Sequence, residues 1–213
     1  GWRVTYLPVD REGFVRLSDF KNALSSDTSI VSIMWGNNEI GVLEPIEAMA
    51  GIVESYAKGL GRDIFMHTDA VQIPGKLPID LSQLKVSALS LSGHKFGAPK
   101  GIGVLYVREL VGTESVAHIV AIGEAASLAQ QEQAELESRL RSYQKQLLER
   151  LLVFPDLTIT GPSDIDKRLP GHVSFSVGGI EGEALVLKSD LKGLAISSGS
   201  ACHQGIIESS SVL

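Results

Sequence analysis

A single cysteine among 213 residues excludes an internal disulfide and fits a reducing compartment. Positive charge is scarce and dispersed: 19 Lys and Arg stand against 25 Asp and Glu, a net charge of -6. With no basic block, nucleic acid is not expected as the main partner. No apolar run is long enough to span a bilayer, so no membrane-crossing segment is expected. Five His and one Cys show no close pair such as His-x-x-x-His or Cys-x-x-Cys, and no metal site is expected. No initiator Met and no signal-like or transit-like segment opens the chain. The sequence is therefore expected to be a fragment, or a product whose front part is absent. What remains, 44% hydrophobic and 21% charged, is an ordinary composition for a globular protein of one or two domains.

Taken in order, Arg3–Leu7 reads as a strand and Pro8–Gly13 as a turn. Ser18 is placed to cap a short helix that buries Phe20 and Leu24. The β-branched run Ile30–Met34 predicts a strand buried on both faces. Pro45 sits at a favoured first helical position. Ile46, Met49, Ala50, Val53 and Ala57 follow at helical spacing, with Gly59 as a left-handed cap. Asp63–Asp69 and Val86–Leu91 read as strands joined through Leu81–Leu84, and Ile102–Val107 as the next. From Val116 to Leu152 the pattern is helical, stopped by Pro155. Leu136, Leu140, Tyr143, Leu147 and Leu151 form one apolar stripe, and Glu135–Arg139 and Glu137–Arg141 are supporting pairs. His172–Val177 reads as a strand, Glu183–Lys188 as a helix, and Leu194–Ser197 as the approach to a Ser/Gly loop.

Strand, helix and strand in alternation predict an α/β unit with a largely parallel sheet. Ligands of such sheets gather beyond the carboxyl ends of the strands. Asn38, Asp69 and Lys95 all fall at or just after the ends of apolar strands, which predicts that they converge.

The stretch around which the chemistry is organised is Ser-Leu-Ser-Gly-His-Lys-Phe-Gly-Ala-Pro-Lys-Gly-Ile-Gly, residues 90–103. It sets Lys95 in a Gly-rich turn between two apolar strands. Desolvation lowers the pKa of a lysine, and the neutral amine can attack a carbonyl to form a Schiff base. Read whole, the stretch resembles the cofactor-lysine motif of cysteine desulfurases, pyridoxal-phosphate enzymes of the class V aminotransferase family. Three further blocks resemble the same family in the same order. They are Asn37-Asn38-Glu39-Ile40-Gly41, His67-Thr68-Asp69-Ala70-Val71-Gln72 with Gly75-Lys76-Leu77-Pro78-Ile79-Asp80, and Ser197-Ser198-Gly199-Ser200-Ala201-Cys202.

The resemblance implies a fold-type I pyridoxal-phosphate transferase architecture: a mostly parallel sheet with flanking helices and a small α+β C-terminal domain, incomplete at both ends. Residues 1–125 would belong to the large cofactor-binding domain, and 126–213 to the linking helix and small domain. It implies pyridoxal 5'-phosphate as cofactor, linked through Lys95. Asp69 would hold the pyridinium nitrogen, Gln72 and Asn38 would lie at the phenolic oxygen, and Ser92 and Thr113 would contact the phosphate. His94 would bind phosphate or move protons, and His67 reads as a supporting or core position. Cys202 would take the sulfur of substrate L-cysteine as a persulfide and release alanine.

Partners implied by the same resemblance are a second copy of the chain and sulfur-acceptor or scaffold proteins that supply iron–sulfur clusters or thio-cofactors. A cytoplasmic setting follows, or a mitochondrial one if a transit segment is missing. His203 after Cys202 gives selenocysteine lyase, acting on selenocysteine, as the competing enzyme. Departures from the family pattern support another reading, a non-catalytic homologue that binds an intact partner. The family's N-terminal phosphate loop and ring-stacking residue have no counterpart here. Its insert after Val107 is reduced to Arg108-Glu109-Leu110-Val111, and the sequence ends before the family's carboxylate-clamping arginine.

Overall fold

A computed structural model describes residues 1–108 and 116–199. Elements follow in the order α1 (Leu17–Ala23), β1 (Ile30–Met34), α2 (Ile46–Leu60), β2 (Phe65–Asp69), β3 (Ala88–Ser92), β4 (Gly103–Val107) and α3 (Val116–Leu151). The short strands β5 (Leu157–Ile159) and β6 (Phe175–Val177) and the helix α4 (Gly182–Asp190) complete the described chain. A four-stranded sheet runs β1-β2-β3-β4, parallel across the first three strands and antiparallel at β4. The β5–β6 pair is a separate antiparallel ribbon.

The helices α1 and α2 pack on one face of the large sheet. Their Phe20, Met49, Ala50 and Val53 meet Val31, Ile33, Met66 and Leu89 in a continuous buried core. The α2 helix forms because its apolar residues recur at helical spacing and bury Ile46, Met49, Ala50 and Val53 on a single stripe. It ends two residues beyond the expected cap. Gly59 stays helical, and Gly61, at φ +66°, takes the left-handed position.

The opposite face of the sheet is open. Ile30, Phe65 and Leu105 lie on it, 57%, 41% and 61% exposed, so β1 is buried on one face rather than two. Alternation explains the difference: Val31 and Ile33 point into the core, while Ile30 and Ser32 point away from it. The N-terminal expectation also changes. Residues 3–7 form no strand, since no neighbouring strand pairs with them among the described residues, and Trp2, Val4 and Tyr6 stand exposed. Ser18 lies inside the first turn of α1, whose cap position is held by Arg16 without a side-chain bond. Pro45 occupies the cap position of α2, one residue before the helix.

The α3 stripe is rotated from its expected place. Tyr143 and Leu147 face outward, and Gln144 is the buried residue at 2% exposure. Its Nε2 donates to the carbonyls of Leu169 and His172, at 3.0 and 2.7 Å. The His172 carbonyl needs a donor once α3 covers it, and the Leu169 carbonyl, which also accepts the His172 N–H at 3.1 Å, gains a second. Of the two expected ion pairs, Glu137–Arg141 closes at 3.3 Å.

One buried acid has consequences for stability. Glu44, 7% exposed, accepts the Val15 N–H on Oε1 at 3.1 Å, while Oε2 has no partner among the described residues. Burial pushes its carboxyl up from 4.5 to about 7, against the Val15 hydrogen bond and with help from Asp10. The folded chain therefore holds this proton more tightly than the unfolded chain. Its contribution to stability is full below pH 4.5 and is lost as pH rises to about 7. Glu44→Gln should flatten that part of the stability curve. The urea midpoint of the variant should exceed that of the parent above pH 7 and converge with it near pH 4.5. Parallel curves would assign the titration elsewhere.

Candidate functional site

Register decides which residues meet. Met34, Asp69 and Ser90 are laterally paired across β1, β2 and β3; β1 and β2 end level there, β3 runs on to Ser92, and the three loops leave from one edge. Trp35 N–H donates to the Asp69 carbonyl at 2.8 Å, and Ala70 N–H to that of Ser90 at 3.0 Å. Beyond this edge lie the Asn38 loop, the Asp69–Lys76 turn and a single 3-10 turn, Gly93–Phe96, that carries His94 and Lys95. Glycine at 97 (φ +94°) turns the chain back toward β4.

The Asp69 carboxylate is fixed by its own turn, where Oδ1 accepts the Val71 N–H at 3.0 Å. No Lys, Arg or His lies within 4 Å of it among the described residues. Ser92 Oγ and His94 Nδ1 are 2.9 Å apart, so a hydroxyl and an imidazole stand side by side ahead of Lys95. His67, on the same strand face as Asp69, is held on both ring nitrogens: Nδ1 by Ser32 Oγ at 2.8 Å and Nε2 by Ser90 Oγ at 3.2 Å. This Ser–His–Ser chain crosses three strands on the open face of the sheet.

Lys95 is exposed and borders a cavity of about 380 Å³. The cavity is walled by Lys76 and Gly75 on one side, Phe96 on another, and Ala125, Leu128 and Leu136 of α3. Lys76 Nζ donates to Gln72 Oε1 at 3.4 Å. Burial holds the Lys76 ammonium below its usual pKa, and the charge of Lys95 adds to the effect. A larger cavity of about 610 Å³ lies at the other end of the strands, among Glu54, Lys58, Arg62, Lys85 and Arg108, and touches none of the expected site residues.

The Asn38 loop is locked by the C-terminal segment. His172 Nε2 donates to the Asn38 carbonyl at 3.0 Å, which fixes the neutral tautomer and leaves the buried Nδ1 without a partner among the described residues. Burial pulls the His172 pKa down, opposed by the Asn38 carbonyl and reinforced by Arg168 and Lys76. Gly41, at φ +76°, has no room for a side chain, because a Cβ would sit 2.6 Å from His172 Nδ1. Arg168, 1% exposed, donates to the carbonyl of Ile40 at 3.2 Å and to those of Thr160 and Pro162, both at 2.7 Å.

The structure thus gathers Asn38, Asp69, Gln72, Ser92, His94 and Lys95 at one edge of the sheet. Thr113 and Cys202 lie outside the described residues. Lys76, Arg168, Gln144 and His172 were given no role by sequence reasoning. For Lys76 a signal existed, since it sits inside a quoted motif. The other three come from segments whose contacts with the Asn38 loop no local pattern announces. Among the described residues no group of three or more His, Cys, Asp or Glu is placed to hold a metal ion, and no helix is long and apolar enough to cross a membrane.

The sequence model described as Aminotransferase class-V matches residues 1–111 and 110–212. A cysteine desulfurase IscS of Dictyoglomus turgidum is 41% identical over 233 residues, covering all of this chain and 57% of the relative. A cysteine desulfurase NifS of Azotobacter vinelandii is 39% identical over 231 residues, again across the whole chain and 56% of the relative. A solved NifS-like protein superposes with a TM-score of 0.84 at 32% identity, over 93% of this chain and 57% of its own. The chain spans a little over half the length of the curated relatives it matches.

The His172–Asn38 bond is open to direct test. Its lowered pKa means that the folded state resists protonation. Stability tied to His172 is full above pH 6.5 and is lost as pH falls through the depressed folded value. His172→Ala should speed hydrogen exchange at the Ile40 and Gly41 amides by about tenfold, and should remove part of the acid destabilisation. Unchanged exchange would mean that the loop stands without this bond.

Proposed function

Because the chain belongs to the aminotransferase class-V family, we propose that it serves a pyridoxal-phosphate-dependent cysteine desulfurase reaction. The relatives named above are cysteine desulfurases by name, and Asn38, Asp69, Gln72, Ser92, His94 and Lys95, which lie in stretches resembling that family's motifs, stand at one edge of the sheet. One observation supports the reading most. The register sets Asp69 beside Ser90, on the strand that leads directly into the Lys95 turn, so a carboxylate with no ion pair among the described residues and an exposed amine share one edge.

The donor set suits the cofactor. Asp69, oriented by Val71 and without a competing cation, would hold a protonated ring nitrogen. The adjacent Ser92 hydroxyl and His94 imidazole offer a proton donor pair for a phosphate group. Gln72, tethered to Lys76, and Asn38, placed by His172, would reach the phenolic oxygen. Lys95 would supply the amine for the cofactor's aldehyde, and Thr113 a further phosphate contact. When bound, the cofactor supplies an electron sink for charge developing beside the substrate's α-carbon.

The protein's part is to orient and to move protons. The wall of α3, with Leu128 and Leu136, would give the Lys95 side of the site an apolar lining. His94 is exposed beside Ser92 and can carry a proton between the site and solvent. In the net reaction the carbon–sulfur bond of L-cysteine breaks and a sulfur–sulfur bond forms at Cys202. The alanine carbon gains a proton, and the Cys202 thiol becomes a persulfide, so that no external oxidant or reductant is needed. The persulfide sulfur would pass to an acceptor or scaffold protein. We further read the working unit as a homodimer in the cytoplasm, with residues 1–125 in its large domain and 126–213 in the linking helix and small domain.

The test is spectroscopic. Purified chain mixed with pyridoxal phosphate should gain a visible absorption band that shifts on adding L-cysteine and is absent in Lys95→Ala. Sulfide release in the presence of a reductant should fall at least about a hundredfold in Cys202→Ala while the band persists. A chain that binds no cofactor, or binds it equally well without Lys95, would overturn the reading.

A further inference from the structure

Gln72 and Lys76 stand four residues apart on the turn that follows Asp69, both half-buried. The turn is held by its own backbone. Ile73, 0% exposed, donates its N–H to the Ala70 carbonyl at 2.9 Å and accepts the N–H groups of Lys76 and Leu77 at 3.0 and 3.1 Å. Gly75, at φ +76°, makes the reversal possible. This geometry brings Lys76 Nζ to Gln72 Oε1, at 3.4 Å. Among the described residues no carboxylate lies within 4 Å of that ammonium. The Gln72 NH2 group, at the other end of the amide, has no acceptor among the described residues.

We propose that Lys76 is a positioning residue: it holds the oxygen end of the Gln72 amide and so makes Gln72 a hydrogen-bond donor to what the site binds. A primary amide carries an acceptor at one end and two donors at the other, in nearly the same shape. Left alone, Gln72 can offer either end. An ammonium has three N–H groups and no lone pair, so Oε1 is the one atom of the amide that it attracts. At 3.4 Å the contact is long for a hydrogen bond. The attraction between a cation and the negative end of a dipole keeps its sign at that distance. Lys95 strengthens the bias, because its charge is felt at Lys76 and like charges bordering one cavity gain from a nearby oxygen. In the reading above, on which this inference rests, Gln72 faces the phenolic oxygen of the cofactor. That oxygen accepts hydrogen bonds, and a flipped amide would set oxygen against oxygen.

The first arm of the experiment uses the full chain without cofactor. The NMR order parameter of the Gln72 side-chain amide should be about 0.8 in the parent and below about 0.6 in Lys76→Met. Backbone order parameters at Val71 and Ile73 should be equal in both, which separates a freed amide from a loosened turn. Lys76→Arg, whose side chain also only donates, should restore the ordered amide. The second arm adds pyridoxal phosphate and follows the pH midpoint of the Lys95-dependent absorption band. Positive charge at Lys76 and an N–H donor from Gln72 both favour the deprotonated form, so Lys76→Met should raise the midpoint by about one unit. In a Gln72→Leu background the charge effect remains and the donor effect is gone, so the same substitution should raise it clearly less. An amide equally ordered without Lys76 overturns the proposal, as do equal shifts in the two backgrounds. Absence of the band in every variant would count against the cofactor reading instead, and the amide order parameter would still decide whether Lys76 fixes Gln72.

Discussion

The buried guanidinium of Arg168 is the constraint on which the rest of the described architecture depends. Among the described residues it has no carboxylate partner, and it donates instead to backbone carbonyls from three places: Ile40, Thr160 and Pro162. Arginine suits the task because its planar fork holds several donors in fixed directions. Burial pulls its pKa down, yet a guanidinium stays charged at any pH the fold survives. An uncompensated buried charge is costly, so the carbonyl cage and the cation require each other. Around this cage, Leu169 N–H donates to the Gly41 carbonyl at 2.7 Å and Leu43 N–H to that of Lys167 at 2.9 Å. The Asn38 loop is thereby stitched to a segment about 130 positions away in sequence.

That stitching gives the long helix a voice at the site. Gln144 of α3 holds the Leu169 and His172 carbonyls, His172 holds the Asn38 carbonyl, and Gly41 and Gly161 give up side chains to let the segments touch. A Cβ on Gly161 would lie 2.1 Å from the Ile40 carbonyl oxygen. The N-terminal turn joins the same assembly, since Glu12 accepts the Ser163 N–H at 2.8 Å. Displacing α3 would therefore move Asn38 as well as uncover the cavity beside Lys95. Binding loops placed by rigid elements gain precision in this way.

The large sheet divides labour by face. The face under α1 and α2 is apolar and carries the stability. The open face carries the hydroxyl and imidazole row Ser32, His67 and Ser90 beside Asp69, interspersed with exposed Ile30, Phe65 and Leu105. Polar side chains on that face satisfy one another across strands, so they retain defined directions in the absence of a covering layer.

Much was legible in the sequence because it is local. Periodicity gave α2 and most of α3, a β-branched run gave β1 and short apolar runs gave β2 to β4, and alternation gave the parallel order, since a strand followed by a helix has few ways to return. The Lys95 turn, Asp69 and Asn38 were identifiable as strand-end residues before any geometry was known, and their common edge follows from parallel strands presenting their carboxyl ends to one side. Tertiary structure decided what no local pattern encodes. Whether β1 would be covered on one face or two depended on neighbours, and so did the absence of a strand at residues 3–7, since a strand without a partner leaves its backbone groups unpaired. The rotation of α3 toward Gln144 was set by carbonyls on a distant segment. The roles of Arg168 and His172 and the pairing of Lys76 with Lys95 arise from approaches across up to 134 positions. Sequence spacing fixes which residues share an element; only the packed chain fixes which charges and orphaned carbonyls must be answered.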